Sequence, residues 1–176
     1  MSGEQHRIAA VLYDRRERID AVLAGFAGRL VAEGRTVAGL IEADPAGDAC
    51  FVRDMALKDL GSGEVVSICQ DLGANATGCR IDPRGLAQAG ALLRVGIDAR
   101  PDCVLINKFG KMEADGLGLA DEIGLCVAEG VPLVIGVPRR FVDAWNAFAG
   151  GLDTQLACSA AALAGWWETV EAERAA

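Results

Sequence analysis

Cys103-Val104-Leu105-Ile106-Asn107-Lys108-Phe109-Gly110 is the stretch whose reading decides the fold. Four apolar residues end abruptly at a polar pair. A wholly apolar run this short suits a central parallel strand covered on both faces. Such a strand delivers Asn107 and Lys108 to the carboxyl edge of the sheet, where ligands of α/β folds bind. Lys108 can hold an anion there, helped by neighbouring backbone N–H groups. The chain then runs through a glycine-rich loop, Gly110 to Gly118, which contains Lys111 and Glu113.

Working outward, strand and helix signals alternate. Arg7 to Tyr13 reads as a strand and Asp14 to Arg18 as a charged turn. Ile19, Val22, Leu23, Phe26, Leu30 and Val31 recur at helical steps, and Gly34 ends that helix. Thr36 to Ile41 is a second strand, followed by a turn at Asp44 to Asp48. Cys50 to Leu57 and Glu64 to Cys69 flank Gly61-Ser62-Gly63 and predict a hairpin. Asp71 to Gly78 is a polar, glycine-rich loop. Asp82-Pro83 opens the next helix as N-cap and first helical residue. That helix runs to about Ile97, with Leu86, Leu92, Leu93 and Val95 mostly on one side. Beyond the central strand come a helix from Leu119 to Glu129, a buried strand from Pro132 to Val137 and a helix from Arg139 to Ala149. A short edge strand at Thr154 to Cys158 and a final helix from Ser159 to Arg174 complete the pattern. Alternation of this kind predicts a mostly parallel sheet with helices on both faces.

Bulk properties narrow the function. The chain has 176 residues, 52% of them hydrophobic, which fits one domain over residues 1–176 with one core. The net charge is -8 and no basic stripe is present, which argues against nucleic acid and against a generic anionic membrane surface. A local anion site of backbone N–H groups and a lysine is still compatible with that average. No signal-peptide pattern and no membrane-length apolar run is seen, so a cytoplasmic setting is expected. The six cysteines form no CxxC pair, and His6 is the one histidine. Clustered zinc ligands are therefore missing. Cys103 and Cys126 sit inside apolar runs and read as buried, reduced cysteines.

Three segments fall at carboxyl ends of strands: Asp14 to Arg18, Gln70 to Gly78 and Asn107 to Gly118. In the first, Arg15, Arg16 and Arg18 would attract an anion, while Asp14 and Glu17 would repel one. In the second, Gly73 and Gly78 permit an open loop, Arg80 offers a forked donor, and Cys79 is the cysteine expected to be most exposed. Each segment can also be read as an ordinary solvated connection. Val137-Pro138-Arg139-Arg140 follows another buried strand and can bring its arginines to the same rim. Trp166 and Trp167 read as core or dimer packing.

The run Val104 to Glu113 resembles the Walker B segment of the thermophile-type P-loop nucleoside triphosphatases. There the strand ends in Asp-Glu, followed by an apolar residue and Gly-Lys-Met-Glu. Gly110, Lys111, Met112 and Glu113 match. Asn107 stands in the place of the magnesium-organising Asp and Lys108 in that of the water-activating Glu. More closely, the chain resembles an uncharacterised bacterial family related to those enzymes. The resemblance rests on Asn107-Lys108-Phe109-Gly110, Cys79-Arg80-Ile81-Asp82 and Trp145-Asn146-Ala147-Phe148-Ala149-Gly150. It implies an α/β, three-layer P-loop-NTPase-like fold, mostly parallel with a β-hairpin insertion.

A phosphate loop needs glycines followed by Lys and Ser or Thr. Its place holds Tyr13-Asp14-Arg15-Arg16-Glu17-Arg18-Ile19-Asp20, with none of these. Asn107 organises a metal less well than a carboxylate, and Lys108 is no carboxylate base. The expectation is a protein that binds an anion without consuming it. The ligand-binding set is Asn107, Lys108, Gly110, Lys111, Glu113, Cys79, Arg80, Asp82, Arg15 and Arg139. The ligand would be a nucleotide with Mg²⁺ or a small oxyanion. Molybdate or tungstate is implied by the resemblance, since such relatives accompany molybdate transport. The alternatives are an active triphosphatase or kinase using Glu113, Asp115 or Asp14 for its metal, and a homo-oligomeric interaction module built on Trp166 and Trp167.

Overall fold

Every strand that reads as wholly apolar in the sequence lies in the interior of one sheet. The computed structural model describes residues 7–43, 55–70 and 80–176, with Arg80 described by its backbone alone. The elements are β1 (Ile8–Tyr13), α1 (Ile19–Ala32), β2 (Val37–Glu42), β3 (Ala56–Asp59), β4 (Val65–Ser67), β5 (Cys69–Gln70) and β6 (Arg80–Ile81). They continue with α2 (Pro83–Asp98), β7 (Cys103–Asn107), α3 (Lys111–Ala114), α4 (Ala120–Ala128) and β8 (Leu133–Pro138). A 3₁₀ turn (Arg139–Phe141), α5 (Val142–Ala149), β9 (Asp153–Ala157) and α6 (Ala160–Ala175) close the chain.

The large sheet has the order β4-β3-β2-β7-β8-β1-β9. From β2 to β9 all neighbours are parallel, and the β3–β4 hairpin adds two antiparallel strands beside β2. This is the expected α/β, three-layer, mostly parallel architecture with a hairpin insertion. One face packs Leu93, Ile97, Ile123 and Trp145 from α2, α4 and α5. The other packs Leu23, Phe26 and Leu30 of α1 with Leu163, Trp167 and Val170 of α6. Alternate residues of β7 divide between them: Val104 and Ile106 face the first layer, Cys103 and Leu105 the second.

Two glycines admit close approaches. Gly39 in β2 has φ +149, and a Cβ there would stand 2.0 Å from the Leu105 carbonyl oxygen. A Cβ on Gly85 in α2 would stand 2.1 Å from the Ser67 carbonyl oxygen, so the helix can lie directly on the end of β4.

Several local readings change. Gly110 to Gly118 is more than a loop, because Lys111–Ala114 is helical. Val31 and Val95 fit the apolar periodicity yet are 61% and 70% exposed, on the outer sides of their helices. The segment read as one helix from Arg139 begins as a 3₁₀ turn. The predicted Asp44 to Asp48 turn, residues 50–54 of the first hairpin strand and the 71–78 loop lie outside the described residues. Trp166 and Trp167 are buried in the chain's own α1–α6 layer, so they present no oligomer face. Among the described residues no helix is long and apolar enough to cross a membrane.

Candidate functional site

The parallel strands all end at one edge, and the chain diverges there. After β1 it turns into α1 on one face; after the adjacent β8 it turns into α5 on the other. Neighbouring strands whose following helices part in this way leave a crevice between their carboxyl ends, the usual place for a ligand in such sheets. An open cleft of about 730 Å³ lies there. Tyr13, Asp14, Arg15 and Arg16 line it from the β1 end, Pro138 and Arg140 from the β8 end, and Lys108 from the end of β7.

Lys108 is placed by its neighbours. Asn107 is the last residue of β7 and is 3% exposed. The peptide joining it to Lys108 is cis. The Phe109 N–H then donates to the Gly136 carbonyl at 2.9 Å, returning the chain to β8. The Phe109 ring is fully buried and meets the Trp145 ring edge-on at 5.1 Å, with Phe148 at 5.4 Å. Trp145 is itself fixed by its indole N–H donating to Asp153 at 2.8 Å. Two sequence motifs far apart in the chain, Asn107 to Gly110 and Trp145 to Gly150, thus form one aromatic anchor beneath Lys108.

The Asn107 amide nitrogen donates to the Asp20 carboxylate in the first turn of α1, while its buried Oδ1 has no hydrogen-bond partner among the described residues. Ile19, at the start of α1, is buried in the core. Glu42, at the end of β2, joins this corner. Its carboxyl is raised above the usual range chiefly by desolvation, further by Asp20, and against the pull of Lys108. Tyr13 is raised too, mainly by burial and then by Glu42 and Asp20, so it remains a neutral phenol.

The remaining predicted residues are distributed as follows. Arg139 reaches across the crevice to Asp14 at 3.3 Å, while Arg140 lies over the Phe141 ring at 5.0 Å and lines the cleft. Gly110 donates its N–H to Glu113 at 2.9 Å, and Glu113 also accepts from the Leu119 N–H at 3.1 Å. Glu113 is buried, and its two oxygens bind the loop's own amides. Lys111 is exposed and paired with Asp115 at 3.1 Å. Asp82 caps α2 by accepting from the Arg84 N–H at 3.0 Å and lines a separate depression with Cys69, Gln70, Pro83 and Arg84. Arg80 pairs through its backbone with Gln70, and Cys79 lies outside the described residues. The structure therefore brings Asn107, Lys108, Arg15 and Arg139 to one edge, with Gly110 and Glu113 shaping the loop behind them.

Sequence reasoning missed Glu42, Tyr13 and the part played by Asp20. A signal for Glu42 existed: it is the last residue of a parallel strand, the position that singled out Asn107. The Asp20–Asn107 contact spans 87 residues of sequence, and no local pattern encodes it.

The profile of the family described as "Protein of unknown function (DUF2478)" matches residues 8–166. "Molybdenum import ATP-binding protein ModC 2" of Bradyrhizobium diazoefficiens is 38% identical over 165 residues. That match covers 93% of this chain and 18% of the relative, so the chain spans under a fifth of that protein's length. No solved structure matches the chain.

Proposed function

We propose that this chain, which belongs to the DUF2478 family, binds a small oxyanion in the cleft between the ends of β1, β7 and β8 and does not hydrolyse nucleotides. The observation that carries this reading is the charge of the cleft. In a protein of net charge -8, its lining carries Arg15, Arg16, Arg140 and Lys108 against one carboxylate, Asp14. Asp14 is already paired with Arg139. Guanidinium forks and an ammonium group suit tetrahedral oxyanions. Arg140 is held over Phe141, which limits the ordering needed when it engages a ligand. Molybdate and tungstate are the named candidates, in keeping with the relative called a molybdenum import protein.

The residues fit a hydrolytic centre poorly. Catalysed phosphoryl transfer needs a metal carboxylate, a phosphate-cradling lysine and a group that orients water. By the Walker B resemblance Asn107 and Lys108 stand in the first and last of those places, and no lysine follows β1 for the second. A resident Mg²⁺ would find the Asn107 amide and the Lys108 ammonium at the strand end, with Asp20 already bound by that amide and Glu42 beside it. The three carboxylates that the sequence offers as substitutes are engaged: Glu113 with backbone amides, Asp115 with Lys111, Asp14 with Arg139. A nucleotide held without hydrolysis is the second reading, favoured by a cleft whose volume lies within the usual range of small-molecule sites.

A thermal-shift screen separates the readings. Molybdate, tungstate, sulfate and phosphate are compared with ATP and GTP plus Mg²⁺. A ligand at 100 times its dissociation constant stabilises by about 2.7 kcal/mol. Stabilisation by an oxyanion, with no phosphate released from ATP or GTP, is expected. Nucleotide turnover by pure protein would overturn the reading.

A further inference from the structure

The ladder between β1 and β8 ends at the pair Tyr13 and Pro138. The next residue on each side is Asp14 and Arg139, and these two charges meet across the mouth of the crevice at 3.3 Å. The Asp14 backbone N–H donates to Glu17 at 2.7 Å, which holds the start of the turn in place. The cleft therefore contains a carboxylate of its own among the arginines that face it.

The geometry points to Asp14 as an internal counter-anion that restricts the cleft to oxyanions carrying at least two negative charges. The inference rests on the oxyanion reading above. An incoming monoanion exchanges one charge for the charge it displaces from Arg139 and gains little. A dianion replaces Asp14 at Arg139 and still has a charge to offer Arg140, Lys108, Arg15 and Arg16. The Asp14–Arg139 pair is partly exposed, at 64% and 49% of its side chains, and an ion pair of that kind is weak enough for such a ligand to displace. Arg140 lines the cleft and receives the ligand from the start, while Arg139 at its mouth receives it only once Asp14 is displaced.

Calorimetric titration of molybdate and of nitrate into the full chain tests this, with Asp14→Asn compared to wild type. Asp121→Asn, at an exposed position of α4, is the control for net charge. Wild type is expected to bind molybdate and to give no heat with nitrate. Asp14→Asn is expected to bind molybdate roughly fivefold more tightly, the factor set by releasing an exposed ion pair, and to gain measurable nitrate binding. Asp121→Asn should match wild type. Asp14→Ser, checked by its melting curve, should repeat the Asp14→Asn result. Molybdate binding that Asp14→Asn leaves unchanged or weakens overturns the inference and leaves the oxyanion reading standing. So does wild-type binding of nitrate as tight as that of molybdate. Silence of every variant towards both anions overturns the two together.

Discussion

The Asn107 side-chain amide donates to the Asp20 carboxylate, joining the end of β7 to the first turn of α1. This contact fixes the chemistry of the strand end. An amide can sit buried against a carboxylate because it brings a donor and no charge. A second carboxylate there would meet Asp20 without a donor between them, and Glu42 already adds negative charge to the corner.

Asn107→Asp should therefore destabilise the fold at neutral pH by about 1–3 kcal/mol, since a buried donor is lost and two like charges face each other. The new carboxyl would have a raised pKa in the folded state. Its stabilising protonation is complete at acid pH and is lost as pH rises through that raised value. Urea melts at pH 5 and pH 8 should show the deficit of the variant growing with pH.

Glu42 carries the same sign in the wild-type chain. Its folded-state pKa is raised, so the folded protein keeps this proton to higher pH than the unfolded chain does. Stability from this group is full below its ordinary value near 4.5 and is lost as pH climbs through the raised folded value. Because Glu42 is still exposed, solvent screens the effect. Glu42→Gln should be slightly more stable than wild type at pH 7 and no more stable at pH 4. Melting temperatures at the two pH values check this.

Glu113 closes its loop from within. Its carboxylate accepts from Gly110 and Leu119, and Gly118 at φ +60 lies so close that a Cβ would stand 2.3 Å from Glu113 Oε1. Glu113→Ala should cost about 2–3 kcal/mol by leaving two amides without their charged acceptor. Anion binding should weaken with it, because the loop behind Lys108 loosens. Denaturant unfolding gives the first quantity and titration the second.

Gly39→Ala tests the sheet itself. The added methyl would meet the Leu105 carbonyl in the adjacent strand, at a φ that L residues rarely adopt. A loss above about 3 kcal/mol, or failure to fold, is expected in circular-dichroism melts.

Much of this fold is legible in the sequence because its signals are local. The apolar run Cys103 to Ile106 announces a central strand, and Asp82-Pro83 announces a helix start that the structure caps as read. Cys103 and Cys126 are buried as their apolar surroundings indicate, and burial pushes the Cys126 thiol up to about 12. The strand order is not legible, since β1 pairs with β8 and β9 across more than a hundred residues. Helix α3 is hidden because it is short: four residues among glycines hold their turn through Glu113, which accepts from the Gly110 and Leu119 amides. At the site, the sequence points to Lys108 and Arg15 because charge at a strand end is a local cue. Glu42 and Asp20 become partners of that lysine corner only when β2, β7 and α1 assemble.

Equilibrium titration of molybdate into wild type and Lys108→Ala tests the central claim most directly. Lys108 projects into the cleft from a backbone anchored by Phe109, so its truncation leaves the core untouched. The account predicts a melting temperature close to wild type and molybdate binding weakened at least tenfold, since a charge-assisted contact contributes about 1.5–3 kcal/mol. Molybdate binding of equal strength in the two proteins would contradict it.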